Sequence, residues 1–163
     1  MHYIVHFLPY SFFVACEKTW IGSSVAESKY AFAVIETIHI MGLTVLLGTM
    51  LAVDMSLLGV GREFTSPAQL AKDLKWWTLG SLAVMIGTGV PLFLSEATRM
   101  SRSVPLYYKM LFLLTAIVIH LTIHRSATKS GSHRDAWWTK AVACASLLCW
   151  FGVALAGRAI AFL

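Results

Sequence analysis

Residues Tyr30 to Asp54 read YAFAVIETIHIMGLTVLLGTMLAVD. A helix needs about 20 mostly apolar residues to cross a bilayer, and this run supplies them without a break. It also carries Glu36 and His39 in its interior. Residues three and four apart share a helix face. At about 100° per residue, Phe32, Glu36, His39, Leu43, Met50 and Asp54 fall on one stripe. Every ionisable residue of the segment is then on one side. Such groups at membrane depth face a bundle interior or a wet cavity, and their default reading is functional.

Composition agrees with a membrane protein. The chain has 163 residues, of which 58% are hydrophobic and 13% charged. A soluble domain is about 45–50% apolar and about 25% charged. The length suits one compact bundle. The net charge of +5 is spread between apolar runs, as topology signals and lipid-headgroup contacts require, and does not form a nucleic-acid footprint. Cys16, Cys144 and Cys149 have neither metal-type nor disulfide-type spacing.

Working outward, Tyr3 to Cys16 is apolar but too short to span, and Pro9 interrupts it. Residues 1–29 are therefore expected to form an aromatic-rich segment on the membrane surface. No Lys or Arg precedes its apolar stretch, so a cleaved secretory signal is not expected. Ser24-Val-Ala-Glu27 has capping-box form and predicts a helix start that runs into the first span. Gly59 and Gly61 end that helix. Ser66-Pro67-Ala-Gln69 starts the next, with Ser as N-cap and Pro in the first turn. The second span covers Trp76 to Ser95, with tryptophans at the interface and Gly80, Gly87 and Gly89 permitting close approach. The third covers about Pro105 to His124, with Lys109, Leu113, His120 and His124 on one face. The fourth covers about Lys140 to Ala161. The expected fold is all-α: a four-helix transmembrane bundle over residues 30–163. Seven Lys and Arg flank one side of the bundle and six the other, which favours both termini outside the cytoplasm.

Two constellations bear on function. Lys109 and Glu36 fall at similar depth, and a buried Glu36–Lys109 pair would spare both an uncompensated charge. His39, one turn deeper, reads as a haem ligand, a proton carrier at a quinone site, or a satisfied core histidine. His120 and His124, four apart, share a face as metal or haem ligands would, although His124 sits at the helix end beside Arg125. One haem held by both His39 and His120 needs equal depths. The spans place His120 about 10 Å to about 15 Å deeper, so the two belong to separate sites. Glu36-x-x-His39 echoes a di-iron motif, but it occurs once where two copies are needed. No phosphate loop, Ser-His-Asp arrangement or zinc motif is present.

Ile35-Glu-Thr-Ile-His39-Ile-x-Gly42-Leu43, then Gly48-Thr-Met-Leu-x-x-Asp54-x-x-Leu57-Leu-Gly59, resembles an uncharacterised family of small bacterial four-helix inner-membrane proteins. The likeness runs from Trp20 to about His120 and includes Thr88-Gly-Val-Pro-Leu-Phe-Leu-Ser-Glu-Ala97. His39 with Lys109 and His120 is more distantly similar to HemJ-type protoporphyrinogen oxidases, which bind haem b, and in outline to CopD-like membrane proteins. The Arg-rich end that follows the first helix in the HemJ type is Asp54-Met-Ser-Leu-Leu here. The resemblance implies a porphyrin or redox role for His39 and Lys109.

Three functions are open at this level. The first is a haem b protein that carries electrons, with quinone as a candidate partner. There His39 and His120 are candidate ligands, Lys109, Arg99 and Arg102 propionate partners, and Gly87 and Gly89 the porphyrin face. The second is an anchor subunit of a larger membrane complex or a homo-oligomer. The third is metal-ion or proton transport along Glu36, His39, His120, His124 and Asp54. If haem is bound, His39→Ala is expected to remove its absorbance, His120→Ala to shift or halve it, and His124→Ala to leave most of it.

Overall fold

The structure, a computed structural model, describes residues 9–61, 64–101, 103–128 and 136–160. Its described residues form helices α1 (Tyr10–Glu17), α2 (Trp20–Glu27), α3 (Lys29–Leu58), α4 (Pro67–Ser95), α5 (Ala97–Met100), α6 (Val104–Thr128) and α7 (Ala136–Ile160), with no strand among them. Among the described residues, three helical stretches are long and apolar enough to cross a membrane: α3, α4 and Trp137–Gly157 of α7. In α6 the apolar stretch is the shorter Val104–His120.

The helix ends follow from local chemistry. Gly59, at φ 108°, takes the left-handed conformation that only glycine adopts cheaply, and ends α3. Its N–H donates to the Ser56 carbonyl at 3.1 Å and the Val60 N–H to Met55 at 3.0 Å, which satisfies carbonyls the helix leaves open. Ser66 caps α4, accepting from the Gln69 N–H at 3.2 Å, with Pro67 next. The expected start at Ser24 does not form, because Ser24 lies inside α2. Thr19 caps α2 instead, and Ser28 breaks the chain and caps α3 through the Ala31 N–H. The last long helix begins at Ala136, before the expected Lys140, so that Trp137 and Trp138 are helical.

α3 packs along α4, α6 along α7, and α7 against α3. Two clusters fill the interior. One joins Leu46 and Met50 of α3, Ala116 of α6, and Trp150 and Val153 of α7. The second, nearer the α3–α4 turn, joins Val53, Leu57, Ala71 and Ala143. We call this the hairpin end. At the opposite, cap end, α1 and α2 fold onto α4 and α5. Phe13 is buried there edge-on to Phe93, with ring centroids 6.4 Å apart. The Thr98 hydroxyl donates to Glu17 Oε2 at 2.7 Å.

The outer surface is apolar. Leu148 of α7 is 73% exposed, Met41 of α3 65% and Leu114 of α6 65%. Contiguous exposed apolar area of this kind marks contact with lipid or another protein. Trp76, Trp77, Trp137 and Trp138 are exposed toward the hairpin end, where amphipathic rings meet headgroups. Lys75 lies over the Trp76 ring, 5.4 Å from its centroid.

α3 and α4 approach closely at Gly42, where an added Cβ would lie 2.9 Å from Val84 Cγ1, whereas Gly48 faces open space. Gly42→Ala is therefore expected to destabilise by about 1–3 kcal/mol through overpacking. Gly48→Ala, on the same helix, should be neutral or stabilise by up to about 1 kcal/mol. Thermal unfolding in detergent followed by circular dichroism checks both.

Candidate functional site

The best-defined polar contact between the long helices lies in the cap half. Thr88 of α4 places its hydroxyl 2.6 Å from the Val84 carbonyl one turn back. A carbonyl oxygen only accepts, so the Thr88 proton is committed to Val84. The Thr88 oxygen is then an acceptor, and His39 Nδ1 sits 2.8 Å from it. His39 Nδ1–H therefore donates to Thr88. In a neutral imidazole one nitrogen carries the proton and the other a lone pair, so Nε2 is left bare. A metal-binding histidine is held in this way, its second nitrogen tied to a neighbouring acceptor.

The sequence of α4 makes room for the ring. A Cβ at Gly89 would lie 3.2 Å from His39 Cε1 and 3.8 Å from Nδ1. The face of Gly89 is thus covered by His39, while Gly87 faces open space. Pro91 lies inside α4 and has no N–H for the Gly87 carbonyl four residues before it.

Lys109 approaches from α6. Its Cε and Nζ each lie 3.6 Å from where a Gly157 Cβ would stand on α7, so Gly157 gives the lysine its course. The expected Glu36–Lys109 pair does not form. Glu36 is exposed, and among the described residues the cap end pairs Arg99 with Glu96 at 3.2 Å. The reason is rotational. The buried face of α3 runs through Gly42, Leu46, Met50 and Val53, and Glu36 is turned off it. Arg102 lies outside the described residues, as does the side chain of His124.

A second polar group lies in the hairpin half. Asp54 is 3% exposed and Ser146 of α7 1% exposed, and the Ser146 side chain hydrogen-bonds to the Asp54 carboxylate. Met50 and Ala116 share one cluster. Four residues beyond each, on helices running the same way, come Asp54 and the half-buried His120, which lie within about one turn of each other in depth.

His39 and His120 are far apart. Eleven residues of α3 separate His39 from Met50, and four of α6 separate Ala116 from His120. At 1.5 Å per residue the depth difference is about 22 Å. That is wider than the sequence suggests, because α6 begins lower than α3, beneath α5. One iron cannot take both rings. No group of three or more His, Cys, Asp and Glu side chains suited to a metal ion occurs among the described residues.

Sequence reasoning missed Thr88, Gly157, Ser146 and Trp150. Ser146 had a signal: with Ala143, Trp150 and Val153 it forms the buried face of α7, and a hydroxyl on that face needs a partner. Thr88 and Gly157 had none, since helix spacing does not say which rotation meets His39 or Lys109.

If Thr88 sets the tautomer, nitrogen-15 NMR of histidine-labelled protein without added ligand will show a protonated Nδ1 and a bare Nε2 at His39. Thr88→Val should release the ring to the alternative tautomer. An Nε2–H signal in the unmodified protein would contradict the assignment.

No curated protein and no solved structure matches the chain. The Family of unknown function (DUF6644) matches residues 11–163, and the protein belongs to that family.

Proposed function

We propose that the protein is a four-span membrane protein that holds haem b through His39 and passes electrons across or along the membrane. α6 acts as the fourth span, and α3, α4, α6 and α7 form a bundle. Both termini lie on the outer side of a bacterial inner membrane. Quinone, or a larger membrane complex, is the electron partner.

The observation that supports this most is the bare His39 Nε2, left by the Nδ1–H bond to Thr88. A core histidine needs only one partner to be satisfied. This one has its partner, and its second nitrogen has no hydrogen bond among the described residues. The packing around it is also suggestive. On α3 between Tyr30 and Val45, Gly42 is the one fully buried residue, whereas the hairpin half is packed with buried Leu, Met, Val and Trp.

A haem brings its own equatorial nitrogens, so a single protein ligand is enough to start a site. Bound there, it would supply one-electron chemistry. The chain's own contributions are separate. His39 would ligate and Thr88 would fix its ring. Lys109 would offer a cation to a propionate. The apolar faces would exclude water. Arg99 already spends its charge on Glu96, which leaves Lys109 the better placed cation.

The test is haem content, measured by pyridine haemochrome on protein purified from haem-supplemented cells. His39→Ala should lose nearly all haem. Thr88→Val should weaken binding by about tenfold, the order seen when the partner of a metal ligand is removed. His120→Ala should keep full content, because that ring is about 22 Å deeper. Loss of haem in His120→Ala with full retention in His39→Ala would move the site to the hairpin half and refute this reading.

A further inference from the structure

The contact between α3 and α7 in the hairpin half contains two buried polar atoms that the proposed haem site does not use. Asp54 Oδ2 and Trp150 Nε1 have no hydrogen-bond partner among the described residues. Asp54 is 3% exposed and Trp150 4%. The two are close in the fold. Ser146, one turn from Trp150, is the side chain that bonds Asp54, and Trp150 shares a buried cluster with Met50, one turn from Asp54. Apolar side chains surround the group, with Val53, Leu57 and Ala143 on one side and Leu46 and Val153 on the other.

A carboxylate in such a place holds an uncompensated charge on Oδ2, which is costly in a low-dielectric interior. Among the described residues no cation pairs with it. The other titratable groups around it are few. On α6, His120 lies within about one turn of it in depth. On α7, Cys149 is half-buried and Cys144 exposed. On α4, Lys72, Asp73 and Lys75 are exposed. On α3 itself no other titratable residue lies between His39 and Leu58. A proton fits well, because it removes the charge from the one oxygen that nothing else compensates.

We propose that Asp54, held by Ser146 beside Trp150, is a proton-binding site in the hairpin half of the membrane domain. Oδ2 accepts a proton from hydronium and water is released. No electron moves, and the haem reading can fail without affecting this one.

Infrared difference spectroscopy tests it on purified, haem-free full-length protein in lipid nanodiscs. On acidification the unmodified protein should develop the carbonyl stretch of a buried carboxylic acid. Asp54→Asn should lose that band entirely, and exposed Asp73→Asn should keep it. Ser146→Ala removes the hydroxyl from the carboxylate and should move the midpoint of the band by about one pH unit. Absence of the band from the unmodified protein overturns the proposal, as does its persistence in a folded Asp54→Asn. If Asp54→Asn does not fold, an unchanged midpoint in Ser146→Ala overturns it instead.

Discussion

The hydrogen bond from His39 Nδ1 to Thr88 is the contact on which the cap half depends. It joins α3 to α4 at the level where Gly42 and Gly89 let the two helices close up. Bonds between helices in lipid are modest in energy, about 0.6–2 kcal/mol each. Their larger effect is on geometry. This one lies on the face of α3 that also carries Gly42, Leu46 and Met50, with Glu36 turned off it. It also fixes the proton on one nitrogen of His39. The same contact thus serves packing and chemistry.

The two halves of the molecule differ in how they are filled. Toward the hairpin end, α3 and α7 bury Leu46, Met50, Trp150 and Val153 in one continuous cluster. Toward the cap end the long helices carry half-buried side chains, and the closure comes from α1 and α2 seated on α4 and α5. Gly22 allows that seating, since a Cβ there would lie 2.8 Å from the Leu94 carbonyl oxygen. A protein interior is normally filled to crystal-like density.

Much of the fold was legible in the residues themselves. Ser66-Pro67 and Gly59 act through the backbone of their own turn, so their roles as cap and stop can be read without neighbours. The same logic failed at Ser24 because the capping pattern is local and common, and the tertiary fit of Gly22 and Val25 against α4 carried the helix through it. Of the candidate site, His39, Lys109 and Asp54 stand out as ionisable residues in apolar runs. Their partners do not. Glu36 looked like the mate of Lys109 because both were at one depth. Depth is set by sequence position, but which face meets which is set by packing, and packing turned Glu36 outward. The separation of His39 from His120 was visible in outline, and the low start of α6 beneath α5 made it larger.

The proposed role of His39 Nε2 is that of a ligand and not merely a spare nitrogen. Electron paramagnetic resonance of the oxidised, detergent-purified protein, beside its reduced absorption spectrum, tests this most directly. A ferric haem signal with histidine hyperfine coupling, and a Soret band that sharpens on reduction, is the expected result. Protein purified from haem-replete cells that shows neither signal, and gains none when haemin is added, would contradict it.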